Sequence, residues 1–89
     1  MGCSGFFVYI LMSQRDGMLY TGMTTNLQRR LREHNSGRVK STRFRTPLVL
    51  VHVERYNTKY EAERRERFLK TGRGRQVKKN LLRNKLPAS

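Results

Sequence analysis

Eighty-nine residues bound the chain to one domain with a small core, and 20 Lys and Arg against 6 Asp and Glu give it a net charge of +14. A surplus of that size points to a polyanion, most commonly nucleic acid, as the partner. The composition argues against a membrane role, because no apolar run reaches spanning length, and the single Cys3 excludes an internal disulfide or a cysteine metal cluster.

The start, "MGCSGF", has Phe6 where a myristoylation pattern wants Ser or Thr, and it lacks the charged start and cleavage site of a signal peptide. The expected compartment is the cytoplasm, with nucleoid association if the partner is DNA. Residues 6–12 and 18–23 are rich in aromatic and long apolar side chains around "SQRDG", and so predict a β-hairpin. A turn centred between Gln14 and Arg15 sets Tyr9 and Tyr20 directly opposite each other on one face. In "TTNLQ", Thr25 and Gln28 offer a capping box, and the helix is expected to run to about His34 and stop at Gly37. Leu27 and Leu31 mark its inward stripe. Arg30 and His34 flank that stripe, while Arg29 and Arg32 point away.

"RVKSTRFRTP" is a basic loop without periodicity. "LVLVHVERY" predicts a strand, and its near-continuous apolar run suggests a central position buried on both sides. "NTKYEAERRERFLKTG" predicts a second helix, capped by Asn57 or Thr58 and stopped at Gly72. Glu66 borders its apolar face beside Ala62 and Leu69, with Arg64 and Arg67 opposite. "RGRQVKKNLLRN" predicts a third helix with Val77, Leu81 and Leu82 on one stripe, ended by Pro87. The expected fold is α+β, in the order β-β-α-β-α-α. It is a small three-stranded antiparallel sheet flanked by helices, a single domain over 1–89 with an ordered core of about 6–83.

The charge is unevenly placed. Residues 1–28 hold one basic side chain, Arg15, and from Arg67 onward there are eight basic residues and no acid. Arg38, Lys40, Arg43 and Arg45 in the loop, with Lys70, Arg73, Arg75, Lys78 and Lys79 in the tail, are candidates to track a nucleic-acid backbone. Such contacts give salt-sensitive affinity and little sequence preference.

Each remaining candidate has an ordinary reading alone. Tyr9 and Tyr20 form a cross-strand aromatic pair. His34 is a cation at a helix C-terminus, and Arg30 snorkels from the core edge. Glu66 pairs with Lys70 one helical turn on, and Gly22 is a bend in its strand. Taken together they set a guanidinium and an imidazole beside two phenols, with a carboxylate held at a core edge.

"FVY", ten residues and then "YTG" resembles the paired signature of the GIY-YIG nuclease superfamily, with Tyr9 and Tyr20 at its two tyrosines. "TTNLQRRLREH" is similar to the helix that follows in that family, Arg30 matching the catalytic arginine and His34 the downstream histidine. "EAERRERFLK" resembles the later helix, with Glu66 at the metal-binding glutamate. The arrangement looks like the stand-alone, single-domain bacterial branch. Phe7 replaces the first glycine of the family's name, and Thr21 the middle isoleucine of its second triplet.

The resemblance implies metal-dependent hydrolysis of phosphodiester bonds, with DNA ahead of RNA as substrate. On that reading Glu66 binds one Mg²⁺ or Mn²⁺ that keeps most of its waters. Arg30 holds the scissile phosphate, and Tyr9 is the first choice of base, its pKa lowered by neighbouring cations. Tyr20 binds phosphate or positions water, His34 polarises a tyrosine or shares in proton transfer, and Gly22 lets the phosphate approach the strand. Targeting would fall to an unidentified protein partner. The alternative is a basic nucleic-acid-binding protein without catalysis, and a protein-interaction module is more remote.

Overall fold

From Phe6 to Met12 the first strand presents large apolar or aromatic side chains to both of its faces, a pattern that suits a strand covered on each side. In the computed structural model, which describes residues 5–83, this strand is the centre of the sheet. β1 (Phe6–Ser13) lies between β2 (Leu19–Thr24) and β3 (Leu48–Tyr56), antiparallel to both. The architecture is the expected α+β arrangement. After the hairpin come α1 (Leu27–Asn35), β3, α2 (Lys59–Leu69) and α3 (Gly72–Arg83). Cys3, Lys85 and Pro87 lie outside the described residues. Among those residues, no helix is long and apolar enough to cross a membrane.

Alternation along β1 divides the core into two layers. Val8 packs with Ala62 and Leu69 of α2, joined by Met23, Phe68 and Val77. Tyr9 and Leu11 point the other way and pack with Leu48, Tyr20, Leu27 and Leu31, under α1. The apolar run of β3 does not make it central. It pairs with β1 alone, is an edge strand, and leaves Val53 41 % exposed. Its apolar side chains serve the two half-covered faces of that edge. A bulge between Ile10 and Leu11 sets Leu50 opposite Leu11 and His52 opposite Ile10.

The hairpin register also differs from expectation. Tyr9 faces Gly22 and Tyr20 faces Leu11, so the two tyrosines are diagonal neighbours on the same face. The turn is longer because Ser13 organises it. The Ser13 hydroxyl accepts from the N–H groups of Arg15 (3.1 Å) and Asp16 (3.3 Å). The Ser13 N–H bonds Met18 O at 2.9 Å, and Gly17 supplies a positive φ of 75°. Register follows turn length, and this turn shifts it by one position on each strand.

Helix boundaries moved by a residue or two. Asn26, not Thr25, caps α1, its side chain accepting from Arg29 N–H at 3.0 Å. Gly37, at φ 81°, follows the Ser36 C-cap as expected. Thr58 caps α2. Gly72 is not the stop after α2 but the first residue of α3, whose start is held by Thr71 Oγ1 accepting from Gly74 N–H at 3.1 Å. The buried line of α3 runs through Gly74, Lys78 and Leu82, with Val77 and Leu81 half-buried beside it.

Glu54 ties β3 to α2. Its carboxylate accepts from Tyr56 Oη (2.7 Å) and from Arg65 Nε (2.8 Å) and Nη2 (3.0 Å), and it meets His52 Nε2 at 2.9 Å. Burial pushes its pKa up, but the hydrogen bonds from Arg65, His52 and Tyr56 outweigh that and hold it down to about 2.

Where α3 crosses α2, Gly74 lets the two backbones meet: a Cβ there would strike Phe68 O and Leu69 Cα, while one at Gly72 would meet nothing. Gly74→Ala is expected to cost about 3 kcal/mol by overpacking, and Gly72→Ala to stay within about 1 kcal/mol of the parent. Denaturant titration of the two variants beside the parent checks the contrast.

Candidate functional site

Gly22 shapes the site through a side chain it lacks. It sits opposite Tyr9 in the β1–β2 ladder, and a Cβ there would strike Tyr9 Oη and Cζ and come within 3.1 Å of Tyr20 Cε1. The Tyr9 ring therefore lies across the glycine, and its phenol reaches α1. The observed role of Gly22 is to admit the phenol.

There Tyr9 Oη meets His34 Nε2 at 3.0 Å, and His34 Nδ1 meets Thr42 Oγ1 at 2.8 Å. Tyr9, His34 and Thr42 are each at most 1 % exposed. The chain of three joins the central strand, α1 and the loop before β3. Tyr20 stacks edge-on against the same imidazole, with ring centroids 4.9 Å apart, and lies 6.4 Å from Tyr9. Thr42 escapes sequence reasoning because it sits in a non-periodic loop among arginines. The one signal was a hydroxyl in a run of cations.

Protonation in this chain follows from burial. Desolvation, then the nearby Arg30 charge, lowers the His34 pKa from 6.5 to about 4, so the imidazole is neutral at physiological pH. Burial also raises the Tyr9 pKa, and the hydrogen-bonding and charge of Arg30 offset this only in part. The expected lowering of that phenol by neighbouring cations is thus reversed in the free protein: cations are present, but desolvation wins. A neutral phenol beside a neutral imidazole forms one hydrogen bond, with either Tyr9 O–H donating to Nε2 or Nε2–H donating to Tyr9.

Arg30 is half-buried, and its Nη1 donates to Glu33 Oε1 at 3.1 Å. It is also the largest influence lowering the Tyr9 pKa. Arg29 and Arg32 are exposed, as the helical stripe implied. Glu66 is half-buried on α2 and accepts from Lys70 Nζ at 3.2 Å. Its charge reaches the Tyr9 phenol and raises that pKa further. The structure thus brings Tyr9, Tyr20, Arg30 and His34 together, with Glu66 in electrostatic range.

The donor set limits what metal could bind. No group of three or more His, Cys, Asp or Glu gathers among the described residues. Glu66 therefore offers a sparse protein donor set, which fits a Mg²⁺-like ion that keeps its waters and completes its shell on substrate phosphate. It does not fit a cage made by protein alone.

The cationic candidates divide. Arg38, Lys40, Arg43, Lys70, Arg73, Arg75 and Lys79 are exposed, and Arg45 is half-buried, 3.8 Å from Asp16. Lys78 is 8 % exposed. Its stem lies in the buried line of α3 and its Nζ donates to Thr21 Oγ1 at 3.0 Å. Burial, then Arg75 and Lys70, lowers its pKa. Lys70, Arg75, Lys78 and Lys79 line a cleft of ≈ 620 Å³ whose wall includes Tyr20.

Residues 5–80 match the model of the GIY-YIG catalytic domain. A UPF0213 protein of Natronomonas pharaonis is 50 % identical over 66 residues, covering 73 % of this chain and 76 % of that one. A UPF0213 protein of Staphylococcus haemolyticus is 47 % identical over 66 residues, covering 73 % and 79 %. Among solved structures, the solution NMR structure of a UPF0213 protein from Bacillus halodurans is similar, with a TM-score of 0.55 and 39 % identity over 86 % of this chain and 84 % of that one.

The neutral imidazole gives a pH test. Because the folded-state pKa of His34 lies below its ordinary value, the unfolded chain takes up a proton first as pH falls through 6.5, and stability drops until about pH 4. The loss is about 3 kcal/mol over that window. Glu54, held at about 2, acts only at lower pH, below 4.5. Urea titrations at about pH 7 and about pH 4.5 should show the drop in the parent, and a His34→Gln variant should lack most of it.

Proposed function

This chain belongs to the GIY-YIG catalytic domain family, a nuclease family, and from that premise we propose that it cuts DNA by metal-dependent phosphodiester hydrolysis at Tyr9, Tyr20, Arg30, His34 and Glu66. The observation that carries the reading is the buried Tyr9–His34–Thr42 chain, set beside Arg30 and within range of the Glu66 charge. A merely structural aromatic pair would need neither the imidazole nor the cation.

Each residue has a task that its surroundings support. Arg30 presents a planar fork to a phosphate and offsets charge that builds on the phosphorus oxygens. Tyr9 takes the proton of the attacking water at Oη and passes its own to His34 Nε2, 3.0 Å away. Arg30 is one cause of the low His34 pKa, so a phosphate docked on Arg30 would counter that repulsion and make the imidazole a better proton acceptor when substrate is bound. Tyr20, edge-on to His34 at the end of the cationic cleft, orients the water or a phosphate oxygen. Gly22 leaves the space that the Tyr9 ring fills, and so sets the phenol beside His34.

Glu66 would hold the divalent cation, Mg²⁺ or Mn²⁺, after releasing Lys70. When bound, the ion supplies Lewis-acid stabilisation of phosphate charge and lowers the pKa of a bound water. Lys70, Arg75 and Lys79 around the cleft, with Arg73 on α3 and Arg38, Lys40, Arg43 and Arg45 in the loop before β3, would follow the backbone. Lys78 contributes from a buried position. The protein would act in the cytoplasm or at the nucleoid, with a protein partner choosing its target.

End-labelled DNA is expected to be cut by the parent with Mg²⁺ or Mn²⁺ and spared in EDTA. Glu66→Gln and Arg30→Ala should each lower the rate by about 100-fold or more, while Glu66→Gln leaves DNA binding in EDTA intact. Undiminished cutting by either variant would remove that residue from the mechanism. Tight binding without cutting under any metal would favour the non-catalytic binding reading.

A further inference from the structure

One aromatic ring stands in water in the middle of the cationic loop. Phe44 is 72 % exposed, the most exposed of the large apolar side chains among the described residues. An exposed phenylalanine alone is ordinary, but the setting of this one is specific. The guanidinium of Arg43 lies 4.9 Å from the ring centroid, and most of the side chain is open to solvent. Lys40 is exposed upstream and Arg45 follows directly. Arg15 Nη1 reaches the Phe44 carbonyl at 3.3 Å.

The loop that carries the ring is pinned on both sides. Val39 and Thr42 are buried. Thr42 N–H bonds Val39 O at 3.1 Å and Arg45 N–H bonds Thr42 O at 2.9 Å. Ser13 Oγ donates to Arg45 O at 2.6 Å. Two residues before the ring, Thr42 Oγ1 is bonded to His34 Nδ1. Phe44 is therefore held in fixed relation to the imidazole that touches Tyr9, and does not sit on a loose surface.

A flat, exposed apolar ring beside a guanidinium, in a loop rich in cations, matches one kind of ligand: an unpaired nucleobase whose flanking phosphates meet the cations. Such a ring stacks on any base and adds cation–π attraction from arginine. Continuous duplex offers the cations its phosphates but keeps its base faces stacked within. We propose that Phe44 is a stacking platform for an unpaired base, so that this site takes nucleic acid with unpaired nucleotides, such as single strands, flaps or frayed ends, in preference to continuous duplex. The substrate class rests on the nuclease reading, whereas the stacking contact does not.

The test separates the two by measuring binding in EDTA, where nothing is cut. Single-stranded DNA carrying 2-aminopurine and a matched duplex would each be titrated with the parent, Phe44→Ala and Phe44→Tyr. Phe44→Ala should weaken single-strand binding by about 5- to 100-fold and abolish quenching of the 2-aminopurine signal. Phe44→Tyr should restore both, and duplex affinity should stay unchanged throughout. Circular dichroism of Phe44→Ala, a change at an exposed site, confirms that the fold is kept. Equal losses on single strand and duplex, or no loss on either, would overturn the proposal. So would a change in sedimentation with Phe44→Ala and none in DNA binding, which would make the ring a contact between protein molecules. If the parent cuts nothing yet shows the single-strand effect, the nuclease reading fails and the stacking contact stands.

Discussion

The 3.0 Å contact between Tyr9 Oη and His34 Nε2 is the interaction on which the functional end of this molecule depends. It exists because three separate constraints meet. The central strand turns Tyr9 toward α1, Gly22 leaves room for its ring, and α1 is capped at Asn26 so that His34 falls in its last turn. Thr42 then closes the other side of the imidazole and fixes the loop. Every polar atom in this buried chain has a partner, and among the described residues no buried side-chain N or O lacks one. In a low-dielectric interior that satisfaction is what lets a phenol, an imidazole and a hydroxyl replace apolar core.

Burial sets the chemistry as well as the geometry. Desolvation lowers the imidazole pKa and raises that of the phenol, so both groups are neutral before substrate arrives. Arg30, half-buried on α1, acts electrostatically on both buried groups, and on the proposed mechanism it would meet the incoming phosphate. The charge surplus elsewhere plays a different part. On the proposed reading, the cations around the cleft and along the loop would supply long-range attraction that steers a polyanion to the site without reading its sequence.

Much of this was legible in the sequence where side-chain period carries the signal. The bounds of β3, a cap of α2 at Asn57 or Thr58 and the inward flank of Arg30 and His34 on α1 all follow from alternation, helical spacing and cap chemistry. The hairpin register did not follow, because one hydroxyl, Ser13, and one positive φ, at Gly17, lengthen the turn by two residues. The strand order did not follow either, because an apolar run reports total burial, and β1 competes for the centre with a longer two-faced pattern. The burial of Lys78 did not follow, since pattern reading scores its charge and not its stem. The protein buries that stem and gives the ammonium Thr21. Thr42 and Phe44 were hidden together in a loop that has no period at all.

The claim that the buried phenol performs chemistry is tested most directly by Tyr9→Phe, which removes one oxygen and keeps the ring that packs over Gly22. Single-turnover cleavage of end-labelled DNA with Mg²⁺ would be measured for the parent and this variant, with binding measured separately in EDTA. The account predicts that binding is kept while the cleavage rate falls by about 100-fold or more. A variant that cuts as fast as the parent would contradict it, and Tyr9 would then be a core residue that happens to lie beside the site.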